Sequence, residues 1–279
     1  LLDRPEFSFV QGSVLDPEAV KECSSSSKAI IHLAAAVGVE NVIKKPVETI
    51  ETNVSGTENV LREARKTGAR VLIASTSEVY GKSWEVPFSE DGDIVLGSTS
   101  RNRWSYACSK ALDEFLALAY NHSYGLPVVI CRFFNTVGPR QSGRYGMVLP
   151  RFINQALTGK PITVYGNGDQ KRCFAHVLDV VPALLDLMKS SQAQGMVVNL
   201  GNDEEISMNQ LAEQVQQKVN PEANIIHLPY EQVYGKNFED MNSRQPDLAR
   251  AKELINYQPS RPLDTIIDDV LAFYRGNWK

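Results

Sequence analysis

Tyr106 and Lys110 stand four residues apart in Tyr106-Ala107-Cys108-Ser109-Lys110, and a hydroxyl-rich stretch, Ser75-Thr76-Ser77-Glu78-Val79-Tyr80-Gly81, precedes them. In a helix, positions i and i+4 share a face, so the phenol and the ammonium would point the same way, one turn apart. An ammonium beside a phenol favours the phenolate, lowers its pKa and makes a usable base near neutrality. A threonine hydroxyl such as Thr76, facing that phenol, could share the proton of an alcohol. A Tyr-x-x-x-Lys spacing alone fits a solvated helix face better than a catalytic pair. The hydroxyl cluster upstream is what favours chemistry.

The elements around these residues read as alternating strands and helices. Arg70-Val71-Leu72-Ile73-Ala74 is a short apolar run of the buried parallel-strand type. It puts the hydroxyl cluster at a strand's carboxyl end, where open α/β sheets place their ligands. Residues 106–120 predict a helix with Leu112, Phe115, Leu116 and Ala119 on one side. Residues 7–14 and 28–36 read as strands, the second ending in small residues, with a short helix over 17–22 between them. Pro46 starts a long helix with an apolar stripe at Val47, Ile50, Val54, Leu61 and Ala64, closed by Gly68. Further on, residues 127–135 and 224–229 read as strands. A helix opens at 147 and ends near Gly159, and Ser207-Met208-Asn209-Gln210 has capping-box spacing before another. Residues 263–274 carry Ile266, Ile267, Val270 and Phe273 at helical intervals.

Composition narrows the function classes. The 279 residues are 43% hydrophobic and 22% charged, ordinary for a globular protein, and the net charge of -4 gives no reason to expect nucleic acid or an anionic membrane as partner. No apolar run is long enough to cross a bilayer and no signal-peptide pattern opens the sequence. Cys23, Cys108, Cys131 and Cys173 are widely spaced, which suggests neither zinc nor disulfides but small buried thiols in a reducing cytoplasm.

Over nearly its whole length the sequence resembles the nucleotide-sugar epimerase/dehydratase branch of the extended short-chain dehydrogenase/reductase family. Besides Thr76, Tyr106 and Lys110, the resemblance is carried by Thr52-Asn53-Val54-Ser55-Gly56-Thr57 and by Arg132-Phe133-Phe134-Asn135-Thr136-Val137-Gly138-Pro139-Arg140. Tyr165-Gly166-Asn167-Gly168-Asp169-Gln170-Lys171-Arg172 and Ser243-Arg244-Gln245-Pro246-Asp247 extend it. It implies a Rossmann-like doubly wound parallel sheet over residues 1–140 that binds NAD. A smaller lobe over 141–279 would hold the nucleotide sugar, with interleaved boundaries. On the cofactor side it implies Val14 and Asp16 near the adenine, and Leu33, Ala34 and Ala35 along the dinucleotide. Asn53 would brace the site close by, Phe134 and Val137 would flank the nicotinamide, and Lys110 would hold the nicotinamide ribose. On the substrate side it implies Ser77, Asn135, Tyr165, Arg172 and Arg244. Arginine suits a diphosphate because its planar fork bonds two oxygens at once. His32 reads as a satisfied core histidine, and His176 and Asp179 as braces of the helix after them.

The family's first strand, its glycine-rich turn and the helix end that holds the pyrophosphate have no counterpart here, and no G-x-G-x-x-G occurs. The expectation is a fragment, or a chain whose leading residues are not recorded. Its sheet would have an uncovered edge beside residues 28–34, which counts against cofactor binding by these 279 residues alone.

The chemistry implied by the resemblance is transient oxidation at sugar C4, with Tyr106 as base, Lys110 and Thr76 assisting, and Glu78 in the catalytic set. Dehydratases of the branch carry Asp-Glu where this chain has Ser77-Glu78, and a serine is too weak an acid to expel the C6 hydroxyl. The Thr-Ser-Glu run and Arg244 are shared with UDP-glucuronate decarboxylases, but residues 103–106 lack the flanks usual in the UDP-xylose-forming enzymes. The sequence therefore predicts a UDP-sugar 4-epimerase, acting as a homodimer. UDP-glucuronate decarboxylase is the main alternative, followed by a 4,6-dehydratase or keto-sugar reductase and by a non-catalytic dinucleotide sensor.

Overall fold

A computed structural model describes residues 4–143, 146–235 and 239–276. In chain order the elements are α1 (Pro17–Ser24), β1 (Ala29–His32), α2 (Val39–Lys44), α3 (Pro46–Thr67), β2 (Arg70–Thr76), α4 (Ser105–Tyr124), β3 (Val128–Phe133) and β4 (Thr136–Val137). Then come α5 (Val148–Leu157), β5 (Ile162–Tyr165), β6 (Lys171–Cys173), β7 (Ala175–His176), α6 (Val177–Lys189), β8 (Met196–Leu200), β9 (Glu205–Ser207) and α7 (Met208–Val219). The last are β10 (Ile225–Leu228), α8 (Tyr230–Tyr234), α9 (Ala249–Ile255) and α10 (Leu263–Tyr274).

The main sheet runs β1-β2-β3-β8, every pair parallel. Alternation along β2 sends Val71 and Ile73 to one face and Leu72 to the other. On the first face they pack with Val128 and Ile130 under Leu61 and Ala64 of α3 and Ala117 of α4. On the second, Leu72, Val129 and Val198 meet Val180, Ala183 and Leu187 of α6 and Ala251 of α9. Helices on both faces of a parallel sheet make the doubly wound arrangement, and each fully buried aliphatic side chain stabilises it by about 1.5–3 kcal/mol. β8, far along the chain, docks on β3, so the polypeptide returns to the first sheet from the second half. A separate cluster around Phe152, Ile153, Leu211, Val215, Ile266 and Val270 holds α5, α7 and α10 together. The capping box at Ser207 and Gln210 forms with both bonds present.

Three sequence expectations change. Residues 7–14 form no strand, because no described strand lies beside them to share hydrogen bonds; Phe9 is 68% exposed, and β1 is the edge of the sheet. The apolar side of α4 faces out, with Leu112 and Phe115 exposed, while its buried face carries Ala107, Ala111 and Ala117 alongside Lys110, Asp113 and Glu114. Small residues let α4 lie close to its neighbours, and the charges on that face are paired. Glu114 Oε2 accepts from Arg132 Nη2 at 2.7 Å, and Glu114 Oε1 accepts from the Ser75 hydroxyl. Breaking such a buried pair costs about 3–5 kcal/mol, so the motif's Arg132 acts here as a strut for β3. Finally, only Cys131 and Cys173 are buried, while Cys23 and Cys108 are exposed.

Candidate active site

β2 ends at Thr76, and residues Ser77–Tyr80 continue as a tight 3-10 turn. Thr76 Oγ1 accepts from the Glu78 amide at 3.2 Å, which caps that turn. Gly81 closes it at φ +60°, where a Cβ would meet Val95 O at 2.2 Å, so no other residue fits. A second such turn, Asn102–Trp104, runs directly into α4 and delivers Arg103 and Tyr106 to the same place. Thr76, Glu78, Arg103, Tyr106, Arg172 and Arg244 share one cleft of about 540 Å³. Leu33, Ser77, Asn135 and Tyr165 open onto it as well.

The Thr76 hydroxyl lies beside the Tyr106 phenol and favours its ionised form. Its pKa is nevertheless raised above the ordinary tyrosine value. Burial is the largest cause, and the Glu78 and Asp113 carboxylates add to it. Lys110 does not line the cleft: it is buried, and its Nζ lies 2.6 Å from Asp113 Oδ2. The Lys110 ammonium is thus met by a carboxylate one turn on, because both groups sit on the buried face of α4.

Opposite the phenol, charges from distant segments converge. Glu78 is gripped by Arg103 on one oxygen and by Arg244 Nη1 at 2.7 Å on the other. Burial pushes its carboxyl pKa up, but Arg103, Arg244 and Arg172 overcome that and hold it down at about 2, so it stays ionised. Asp240 Oδ1 accepts from Arg172 at 3.0 Å and lies 3.5 Å from Arg244 Nη2. Burial, then the neighbouring Arg244, bring the Arg172 pKa down to about 10. The Arg244 Nε, buried, has no hydrogen-bond partner among the described residues. Arg103 and Asp240 were not legible as site residues; Arg103 lies in a polar loop, and neither belongs to a recognised motif.

The other residues that the resemblance assigns to the cofactor have these surroundings. Phe134 is fully buried and packs with Tyr80 and Phe88, while its neighbour Phe133 lines the cleft. Val137 belongs to the core around Phe152. Asn53 is buried with both amide ends engaged: its Oδ1 accepts from Ala36 N at 2.8 Å and its Nδ2 donates to Ser109 Oγ at 3.0 Å. Asp16 caps α1, accepting from Glu18 N at 3.0 Å, and the Val14 carbonyl accepts from Asn59. Neither reaches the cleft, nor do Ala34 and Ala35. His32 packs on Thr57, Nε2 to Oγ1 at 3.1 Å, and burial followed by the Lys110 charge lowers its pKa to about 4. His176 accepts from Leu178 N through Nδ1, and Asp179 takes Ser260, which makes both braces of α6.

The family described as GDP-mannose 4,6 dehydratase matches residues 2–270. The chain belongs to the nucleotide-sugar epimerase/dehydratase family of extended short-chain dehydrogenase/reductases. Within it, a UDP-N-acetyl-alpha-D-glucosaminuronate decarboxylase from Bacillus cytotoxicus is 41% identical over 264 residues, which cover 94% of this chain and 81% of that protein. UDP-glucuronic acid decarboxylase 1 of Arabidopsis thaliana is 36% identical over 279 residues, covering 99% of this chain and 60% of its own length. Among solved structures, the UDP-glucuronic acid 4-epimerase of Bacillus cereus, in complex with UDP-glucuronic acid and NAD, superposes with a TM-score of 0.88 at 23% identity. It covers 99% of this chain and 83% of that one, and it shares the fold. The preference for an epimerase over a decarboxylase finds no support among these family relatives.

Proposed function

We propose that the protein uses NAD to decarboxylate a UDP-linked uronic acid through transient oxidation at sugar C4. The observation that carries this reading is the buried Arg244, which has an unpaired Nε and stands with Arg103 and Arg172 in the cleft that holds Thr76 and Tyr106. A uronic acid brings one more carboxylate than a neutral sugar, and a cluster of guanidinium groups is suited to receive it. Relatives that share residues along nearly the whole chain carry names of this activity.

The cleft fits the nicotinamide end of a dinucleotide. Leu33, at the carboxyl end of β1, is 58% exposed and with Phe133, the neighbour of Thr76 across the sheet, adds apolar surface to the cleft that holds Thr76 and Tyr106. NAD, when bound, supplies the acceptor and later the donor of the C4 hydride. Tyr106 removes the O4 proton while Thr76 shares the hydrogen bond to that oxygen. The product is a 4-ketone whose carbonyl is β to the C6 carboxylate. Arg244 orients that carboxylate so that the C5–C6 bond can break, carbon dioxide departs, and the electron pair passes to O4. Protonated Tyr106 stabilises the resulting enolate oxygen. C5 would then take a proton from water, and Tyr106 keeps the proton it removed, ready to return it to O4 once C4 is reduced.

Incubation with NAD and either UDP-glucuronate or UDP-N-acetylglucosaminuronate should release carbon dioxide and give a nucleotide pentose. A product that keeps its carboxylate with C4 inverted would restore the epimerase instead. We also propose a homodimer, with exposed Leu112 and Phe115 on α4 and Val47 and Ile50 on α3 as the apolar surface it covers. Sedimentation at the monomer mass would remove that assembly.

A further inference from the structure

The sequence pairs Tyr106 with Lys110, yet the structure pairs Lys110 with Asp113. Both members are withdrawn from solvent, Lys110 at 2% and Asp113 at 0% exposure, with Nζ and Oδ2 at 2.6 Å. An ammonium in that position would project a full positive charge toward the phenol one turn back. With Asp113 ionised the pair is neutral and most of that field is cancelled. We propose that Asp113 is a positioning residue of this enzyme, the buried counter-charge that holds Lys110 away from the cleft and governs when Tyr106 can ionise.

The surroundings of the pair are mostly committed elsewhere. On α4 itself, Glu114 is bound to Arg132. From α3, the Thr57 hydroxyl lies beside Asp113 and also meets His32 of β1, whose neutral ring adds no charge. From the turn after β2, Glu78 opposes ionisation of the phenol, and from the turn before α4, Arg103 favours it. These two are tied to each other. The Lys110–Asp113 pair lies one turn along the same helix, and separating its members leaves the net charge at zero but changes the field at the phenol. A ligand that draws the ammonium toward the cleft would strip it of its counter-charge and lower the barrier to forming the phenolate. In the resting protein the phenol keeps its proton, which fits its raised pKa.

The proposal rests on the C4-oxidation reading only for Tyr106 being the base, and its test can be made without substrate. Ionisation of Tyr106 is followed as the phenolate absorbance lost in Tyr106→Phe, with thermal unfolding run alongside to confirm the fold. In Asp113→Asn the midpoint should fall by about one pH unit or more, the size expected for exposing an opposite charge nearby. Asp113→Glu should stay close to the natural protein. The double variant Lys110→Met with Asp113→Asn, neutral like the intact pair, should also stay close. This variant decides the matter if the single one fails to fold. In turnover assays the acid limb of kcat/KM should move to lower pH in Asp113→Asn. An unchanged or raised midpoint in folded Asp113→Asn, or a lowered one in the double variant, overturns the proposal. Loss of carbon dioxide release with the optical shift intact would count against the decarboxylation reading alone.

Discussion

Tyr106→Phe should lower turnover by about 10²–10⁴-fold, the contribution of a positioned general base, while leaving dinucleotide affinity unchanged. Phenylalanine keeps the ring that fills this half-buried position at the start of α4 and removes only the phenol oxygen. Thr76 by itself cannot substitute, since its hydroxyl has no base to accept a proton from it. Steady-state rates with UDP-glucuronate, set beside NAD binding followed by fluorescence, make the comparison. Turnover near that of the natural protein would end the C4-oxidation mechanism, whatever the product.

Arg244→Ala is the second large effect. A hydrogen bond to a charged group contributes about 1.5–3 kcal/mol, so kcat/KM for a UDP-uronate should fall by roughly 10- to 150-fold. Binding of UDP-glucose, which has no C6 carboxylate, should fall far less. Glu78 would still be held by Arg103, so the turn carrying it should survive the substitution. Arg244→Lys restores the charge but not the planar fork, and should recover only part of the loss. Equal losses for the acidic and the neutral nucleotide sugar, read from matched kinetics and binding, would mean that Arg244 serves the shared UDP moiety and not the carboxylate.

The two variants probe parts of the cleft that differ in how visible they are in the sequence. Thr76 and Tyr106 were legible because each sits in a motif and at a periodic position, one at a strand end and one at a helix start. Arg244 was legible from its Arg-x-Pro-Asp context. Arg103 and Asp240 were not, because what makes them functional is contact with Glu78 and Arg172, which are distant along the chain. Phe133 and Phe134 show a subtler limit. Adjacent residues on an extended chain point to opposite faces, and nothing local says which face is the cleft.

The sequence by itself determined the succession β1, α3, β2, α4 and β3, the capping of α7, the span of α10 and the presence of Thr76, Tyr106 and Lys110, since propensity, capping and motif spacing are local properties. Only the tertiary structure decided that the apolar side of α4 faces outward and its charged side inward, and that Lys110 is answered by Asp113. The sign of an electrostatic effect depends on every charge within a few ångströms and on how much water is excluded. Those distances exist only once α3, α4 and the ends of β1 and β2 have packed together.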